Sequence, residues 1–462
     1  MSRRLGLVVL LIPLALGCKG SSSDKGGSDG ACAKAKVEGP IAWIDDDYAS
    51  ALACAKQKNV PLVLDLWAPW CHTCLSMQST VFVEDTLKAT ADRFVFASFD
   101  TDKEENAAVV AKFPLSAWPT FYVVAPNDEA VLARFVGSAS LAQFTAFLDA
   151  GAAARAGVAG ADQKLLAAER ALAAKDYATA EKELAAALEA APATWVRKPD
   201  ALVSLISTLS KRGNHAGCVD LAIQGMLYTG NSASAADFIS VAVGCGKERL
   251  AADPQKVAVL RQAAMTRLEQ LIDDPKAPLS FDDRSDAMVT LRELYQDVGR
   301  NPDAINLAEK QRALLDDAAK KASGPVAAAT YNWHRAEVYA FLGRPLEIVP
   351  ALEKSANDLP NEYDPRARLG WVYLKANKLP EVEQWTDAAL KLVYGPRKGR
   401  VLAQRAEIAK AKGDVAAEKQ FRAEAVKLWE SLPPGQQSPD SLAKAKEALA
   451  KVDAPTAPPS TN

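Results

Sequence analysis

Hydrophobic positions change their spacing twice along this chain. The first apolar stretch, Leu5 to Leu16, follows Arg3 and Arg4 and is interrupted by Gly6 and Pro13. A membrane-spanning helix needs about 20 apolar residues, so this stretch predicts a signal peptide over residues 1–17. From Ile41 to Ala150 short apolar runs alternate with helical spacing. Asp47 to Lys58 predicts a helix, with Ala49, Leu52, Ala53 and Lys56 at helical intervals. Leu62 to Trp67 is a nearly continuous apolar run after Pro61, the pattern of a strand buried on both faces. Phe94–Phe99, Thr120–Val124 and Ala130–Phe135 predict three more strands, the last two joined by the turn Pro126-Asn127-Asp128. Cys74–Phe82, Glu104–Lys112 and Leu141–Ala150 predict helices. From Gln163 to Leu432 the period is helical throughout.

This pattern predicts an α/β domain over residues 41–152 and an all-α domain over residues 160–450. A chain of 462 residues exceeds a single core, which agrees with two domains. Gly20 to Gly30 is nearly all Gly, Ser, Asp and Lys and cannot bury a core, so residues 18–40 predict a flexible tether. Residues 453–462, rich in Pro and Thr, predict a disordered tail. The formal net charge is only −2, with no basic cluster, and this argues against a nucleic-acid partner.

The segment Leu14-Ala15-Leu16-Gly17-Cys18 resembles a bacterial lipobox, although the family usually has Leu where Ala15 stands. The resemblance implies that cleavage leaves a lipid-modified Cys18 as the new N-terminus. Lys19, with no Asp at that position, fits the outer membrane by the enterobacterial sorting pattern. The expectation is an exported protein, lipid-anchored on the periplasmic face of the cell envelope. Ordinary signal cleavage near Gly17 is the other reading.

There are seven cysteines, and setting Cys18 aside leaves Cys32, Cys54, Cys71, Cys74, Cys218 and Cys245. An even set in an exported protein suggests pairing. Cys71 and Cys74 form a local C-x-x-C. Cys32 with Cys54 and Cys218 with Cys245 are candidate structural bridges, among fifteen possible connectivities. The other reading of these four is buried free thiols, which behave as small apolar residues. Structural zinc takes four ligands. No second C-x-x-C accompanies Cys71 and Cys74, and His215 and His334 read as isolated surface or packing residues, so neither a metal nor a cofactor is expected.

The C-x-x-C stands in Trp67-Ala68-Pro69-Trp70-Cys71-His72-Thr73-Cys74, between the buried strand and a helix. A cysteine at a helix N-terminus meets free backbone N–H groups and the positive end of the dipole, which favour its thiolate. This unit, with Trp118-Pro119-Thr120 and Asp65, resembles the thioredoxin fold, which implies a central mixed sheet flanked by helices. The resemblance implies a cis Pro119 facing the dithiol. It also implies that Asp65, six positions before Cys71, is a buried acid exchanging a proton with the resolving thiol. Cys71 would be the exposed attacking sulfur and Cys74 the resolving one. Trp70, His72, Thr73 and Trp118 would be its neighbours, Trp70 covering the apolar surface around the dithiol. His72 would favour the thiolate if protonated, or else serve as an exposed spacer. Trp43–Ala68 and Cys74–Phe82 look most like the C-terminal domain of the periplasmic reductase DsbD and related exported proteins. Here the central dipeptide is His72-Thr73 rather than Gly-Pro, and bulky Trp118 precedes the proline; both leave the direction of electron flow open.

The helical region resembles the tetratricopeptide repeat (TPR). Leu165, Ala168 and Leu172 share one face, Lys175-Asp176 makes a turn, and a second helix ends at Pro192. Similar turns recur at Gly213, Gly299, Gly343, Asn377 and Gly413, the last three close to the repeat's ~34-residue period. Pro278–Asp282 and Ser323–Pro325 read as inter-repeat loops. Trp333, Tyr339, Trp371, Tyr373 and Trp385 read as core residues. The resemblance implies a superhelix whose concave face suits a protein or peptide. Together these features suggest an extracytoplasmic thiol–disulfide oxidoreductase, a reductase or isomerase of envelope proteins. Its partners would be disulfide-bearing proteins, a protein electron donor and a ligand of the repeats. The competing expectation is a scaffold lipoprotein in which the α/β domain only docks.

Overall fold

The computed structural model describes residues 30–453. The predicted signal peptide, Cys18, the tether as far as Asp29 and residues 454–462 lie outside the described residues. Among the described residues no helix is long and apolar enough to cross a membrane.

The N-terminal domain holds β1 (Lys36–Glu38), β2 (Ile41–Asp45), α1 (Tyr48–Lys58), β3 (Leu62–Trp67) and α2 (His72–Thr80). It continues with β4 (Val95–Asp100), α3 (Ala107–Lys112), β5 (Thr120–Val124), β6 (Val131–Val136) and α4 (Leu141–Ala156). The sheet order is β1-β2-β4-β3-β5-β6, with β2, β4 and β3 parallel and the other pairings antiparallel. Because side chains alternate along a strand, β3 sends Leu62, Leu64 and Leu66 to the side of Ala51, Ala55 and Phe113, and Val63 to the side of Met77, Phe82 and Phe144. Helices α1 and α3 therefore cover one face, and α2 and α4 the other. Both faces are apolar, which accounts for the unbroken hydrophobic run.

The domain begins earlier than the alternation predicts. β1 lies inside the expected tether, because Cys32 is bridged to Cys54 and Lys36–Glu38 pairs with β2. It also ends later, since α4 runs to Ala156 with a Ser140–Gln143 capping box at its start.

Helices then follow in antiparallel succession: α5 (Gly160–Ala173), α6 (Tyr177–Ala190), α7 (Lys198–Lys211), α8 (His215–Gly225), α9 (Ala233–Arg249), α10 (Pro254–Asp273), α11 (Phe281–Asp297) and α12 (Asn301–Lys321). The remainder are α13 (Pro325–Ala329), α14 (Asn332–Phe341), α15 (Val349–Asp358), α16 (Asp364–Lys375), α17 (Leu379–Leu390), α18 (Gly395–Ala411), α19 (Val415–Ser431) and α20 (Pro439–Asp453). The recurring turns share one geometry. Lys175, Gly213, Gly299, Gly343, Asn377 and Gly413 all have positive φ. The next N–H in each case donates to the carbonyl five residues back, as Asn214 does to Leu209 at 2.9 Å and Asp414 to Ala409 at 2.9 Å. This is the Schellman stop. At three of these turns the next residue, Asp176, Asn214 or Asp414, then caps the following helix. The result is a TPR-like array of helix pairs. One expected loop is misplaced: Ser280 caps α11 in a box with Asp283, so Asp282 lies in the first helical turn.

Cys218 on α8 is bridged to Cys245 on α9 across 6.3 Å between Cα atoms. Trp333 and Trp371 meet edge to face at 5.1 Å, and Tyr339 is buried in the same cluster.

Candidate functional site

β3 delivers the chain to Ala68, whose carbonyl accepts the Cys71 N–H at 3.0 Å. This tight turn puts Cys71 at the N-cap of α2, where its Sγ accepts the Cys74 N–H at 3.0 Å. Cys71 and Cys74 are joined as a disulfide. The Trp118–Pro119 bond is cis, Pro119 is buried, and Trp118 packs on the cluster of Ala68 and the two cysteines.

Asp65 is 2% exposed and its Oδ1 has no hydrogen-bond partner. Burial in this apolar setting pushes its carboxyl up to about 8. A cleft lined by Glu38, Asp45, Ser98 and Gln78 reaches it from the β1–β2 side. Asp65 is therefore a protonated acid at neutral pH with a polar route to solvent, as proton exchange with a thiol requires.

The two sulfur-bearing residues are less accessible than the sequence suggests. Cys71, expected to be exposed, is 4% exposed, and Cys74 is 2% exposed. Trp67, Trp70 and Trp118 pack on them, and the helical repeats in turn cover Trp70. Trp70 does more than shield the dithiol locally: it projects into the repeats among Tyr363, Ala389, Val393 and Val401. Arg397 stacks over its ring at 4.7 Å, Arg368 donates to its carbonyl at 3.3 Å, and its Nε1 donates to Asp102 at 2.8 Å. Trp118 crosses Trp70 at 4.9 Å and donates to Thr101 at 2.8 Å.

The acids at the end of β4 complete this join. Tyr394 donates to Asp100, and Tyr363 to Asp102 at 3.4 Å. Burial raises both carboxyls, Asp100 to about 6. Gln436 donates to the Thr101 and Lys103 carbonyls at 2.9 and 2.8 Å. At the other end of the repeats, buried Arg197 bridges Glu169 and Asp200 at 2.9 and 2.6 Å while donating to the Arg134 carbonyl of β6 at 3.4 Å. From α5 to the loop after α19, the repeats close around the rim that holds the dithiol. Repeat residues thus hold the protein's own sheet domain at both ends of the array.

His72 faces this cover too. Its Nδ1 lies 2.9 Å from Asp282 Oδ2, and its ring meets that of His334 at 4.3 Å. Burial pulls its pKa down, but the Asp282 and Asp286 carboxylates outweigh that and hold it up at about 9. His334, expected to be isolated, is only 3% exposed, because its ring packs against His72 and the Asp282 and Asp286 carboxylates of α11. His215 is half-buried at the start of α8. Thr73 places its Oγ1 3.3 Å from His72 Nδ1. Beside the dithiol, Thr73, Trp118, Gly137 and Ser138 form one wall of a cleft whose other wall is Ser207, Asp237 and Asp286. Burial pushes Asp237 up to about 8.

The sequence reading missed Asp100, Asp102, Asp282, Asp286 and the arginines that face Trp70. One signal was present: Asp100-Thr101-Asp102 directly after an otherwise apolar strand.

A family model for thioredoxin matches residues 42–150. A thioredoxin of Acidithiobacillus ferridurans is 30% identical over 109 residues, which is 24% of this chain and 94% of that protein. A thioredoxin H-type of Brassica campestris is 34% identical over 94 residues, 20% of this chain and 71% of that one. A tetratricopeptide repeat protein from Parabacteroides merdae aligns over 64% of this chain and 99% of its own, at 14% identity and a TM-score of 0.41.

Proposed function

From the premise that the chain belongs, through residues 42–150, to the thioredoxin family, we propose that it is an extracytoplasmic thiol–disulfide oxidoreductase of the cell envelope. The observation that carries this reading is the Cys71–Cys74 pair at the N-terminus of α2, packed against Trp118 beside cis Pro119. In the reduced protein the Cys71 thiolate attacks a substrate disulfide and forms a mixed disulfide. Cys74 then attacks Cys71, releasing the substrate thiol and closing the internal disulfide. The minority of Asp65 that is ionised at neutral pH takes the Cys74 proton as that second attack begins, and the acid then returns the proton to solvent through the cleft beside it. Reduction or isomerisation is favoured by the resemblance to exported DsbD-like domains, with a protein donor restoring the dithiol.

Export is supported by the signal-like N-terminus and by the Cys32–Cys54 and Cys218–Cys245 bridges, which persist in oxidising compartments. Lipid attachment at Cys18 is part of the proposal, and mass spectrometry of the mature N-terminus tests it. The repeats select the client by admitting only chains that reach the dithiol beside Trp118.

The purified mature chain should reduce insulin disulfides with dithiothreitol as donor, and Cys71→Ser should abolish this. Turnover that survives the change overturns the assignment. Cys74→Ala should trap clients as mixed disulfides on Cys71 in cells. One observation favours a second reading, a scaffold whose thioredoxin domain only docks: Cys71 is almost wholly covered. Under it, the Cys71→Ser/Cys74→Ser double variant keeps both partner capture and phenotype.

A further inference from the structure

We propose that His72, Asp282, Asp286 and His334 form a site for one divalent transition-metal ion, Zn²⁺ in the first instance, that joins the dithiol helix to the helical repeats. Asp282 and Asp286 are four residues apart and share one face of α11. His334 is on α14 and His72 opens α2. One donor atom from each lies within 4.8 Å of all the others. His72 Nδ1 is 2.9 Å from Asp282 Oδ2 and 4.0 Å from Asp286 Oδ2, while His334 Nε2 is 3.1 Å from Asp286 Oδ1 and 3.7 Å from Asp282 Oδ1. Tetrahedral zinc with bonds of about 2.0–2.1 Å sets its ligands about 3.3 Å apart, near the middle of this range.

A second observation points to an ion rather than to a closed ion-pair network. His334 is 3% exposed, yet neither ring nitrogen makes a hydrogen bond. Asp282 is fully buried, and its Oδ1 has no partner either. Polar atoms buried this deeply are normally satisfied. Approach to 3.1 Å without hydrogen-bond geometry is what results when lone pairs converge on a shared centre instead of on each other. The neighbouring acid makes a useful contrast. Asp283 accepts the Ser280 N–H at 2.9 Å and belongs to the helix cap.

The donor chemistry selects the ion. Two imidazoles disfavour Mg²⁺ and Ca²⁺, which take oxygen ligands, and four hard or borderline donors disfavour Cu(I). Binding releases the proton that His72 carries at neutral pH; two carboxylates with two neutral imidazoles then carry −2, which a divalent ion neutralises. The ion would sit one residue from Cys71, tying α2 to α11 and α14.

The test uses the full mature chain in its disulfide form, so that Cys71 and Cys74 offer no thiolate. After chelator treatment, calorimetric titration with ZnCl₂ should show one ion per chain, and Co²⁺ should give the visible bands of a tetrahedral site. His334→Ala and Asp286→Ala should each weaken binding by at least ~100-fold, and His215→Ala should leave it unchanged. His72→Ala provides the fold-safe variant, because His72 is partly exposed at a helix start; it should lose the ion with an unaltered circular dichroism spectrum. No binding by the folded wild-type chain at 100 µM Zn²⁺, or stoichiometric binding that survives these three ligand changes, overturns the proposal.

Discussion

Cys71 stands where two differently built regions meet. On the sheet side its surroundings come from nearby in the chain: Ala68 fixes the turn, Cys74 closes the bridge, and Asp65 comes from the strand that leads in. On the repeat side they come from residues some 200 to 370 positions away, including Asp282, His334, Arg368, Arg397 and Gln436. The sheet side therefore determines what chemistry the sulfurs can do. Under the proposed function, the repeat side governs what reaches them. The two can be separated by experiment, because changes on one side should move reactivity and changes on the other should move access or stability.

The largest effect expected on the repeat side alone comes from removing the Cys218–Cys245 bridge. It closes 27 residues of chain, and loops of that size are worth about 3–4 kcal/mol in the chain-entropy model. The Cys218→Ser/Cys245→Ser variant should show that loss in chemical denaturation of the repeats. Its insulin-reducing turnover under native conditions should stay near that of the parent. A parallel loss of turnover would mean that the two regions are not separable in this way.

Next in size is a change at the seam. Gly395 has positive φ and sits so close that a Cβ there would overlap the Asp102 carbonyl. Gly395→Val should lever α18 away from the loop after β4. Overpacking costs typically about 1–3 kcal/mol. If the repeats limit access, alkylation of reduced Cys71 by a maleimide should speed up by ~10- to 100-fold, since each 1.4 kcal/mol is a factor of ten. An unchanged rate in a folded variant would show that Trp70 and Trp118 alone shield the sulfur.

The same division explains what could be read from the sequence. The elements of the sheet domain are legible because strand burial and helical period are local patterns, and β3, β5 and α1 stand where the pattern puts them. β1 was invisible: three exposed residues, Lys36–Glu38, carry no periodicity, and pairing with β2 makes them a strand. Turns such as Gly213 and Gly413 are legible through their residue types. The cover over the dithiol was not legible. A repeat's period says which face of each helix is buried against its neighbours, but not what the array curls around. His334 illustrates this, since a lone histidine on an apolar helix looks the same whether it faces solvent or His72.

The smallest effect, and the most diagnostic, lies on the sheet side at Asp65, because its two consequences should have opposite signs. Its carboxyl titrates near 3.8 when unfolded and at about 8 when folded. A raised folded value means that the native state holds a proton the unfolded state has lost. The stability this proton gives is fully present below about pH 4. It is lost as pH rises through about 8, by up to ~1.4 kcal/mol per pH unit. Asp65→Asn abolishes that loss and should stabilise the chain by roughly 1–3 kcal/mol at pH 8–9, with little change near pH 4. The same substitution removes the proton acceptor for Cys74, and turnover should fall by ~10-fold or more. Denaturation and insulin reduction measured on one preparation at both pH values decide the matter. A variant that gains stability at pH 9 and keeps its turnover would make Asp65 a buried acid without a part in the exchange. A variant that loses both would mean that Asp65 is ionised and paired in the folded chain, and that its part in the exchange does not come from a raised titration on β3 between β4 and β5.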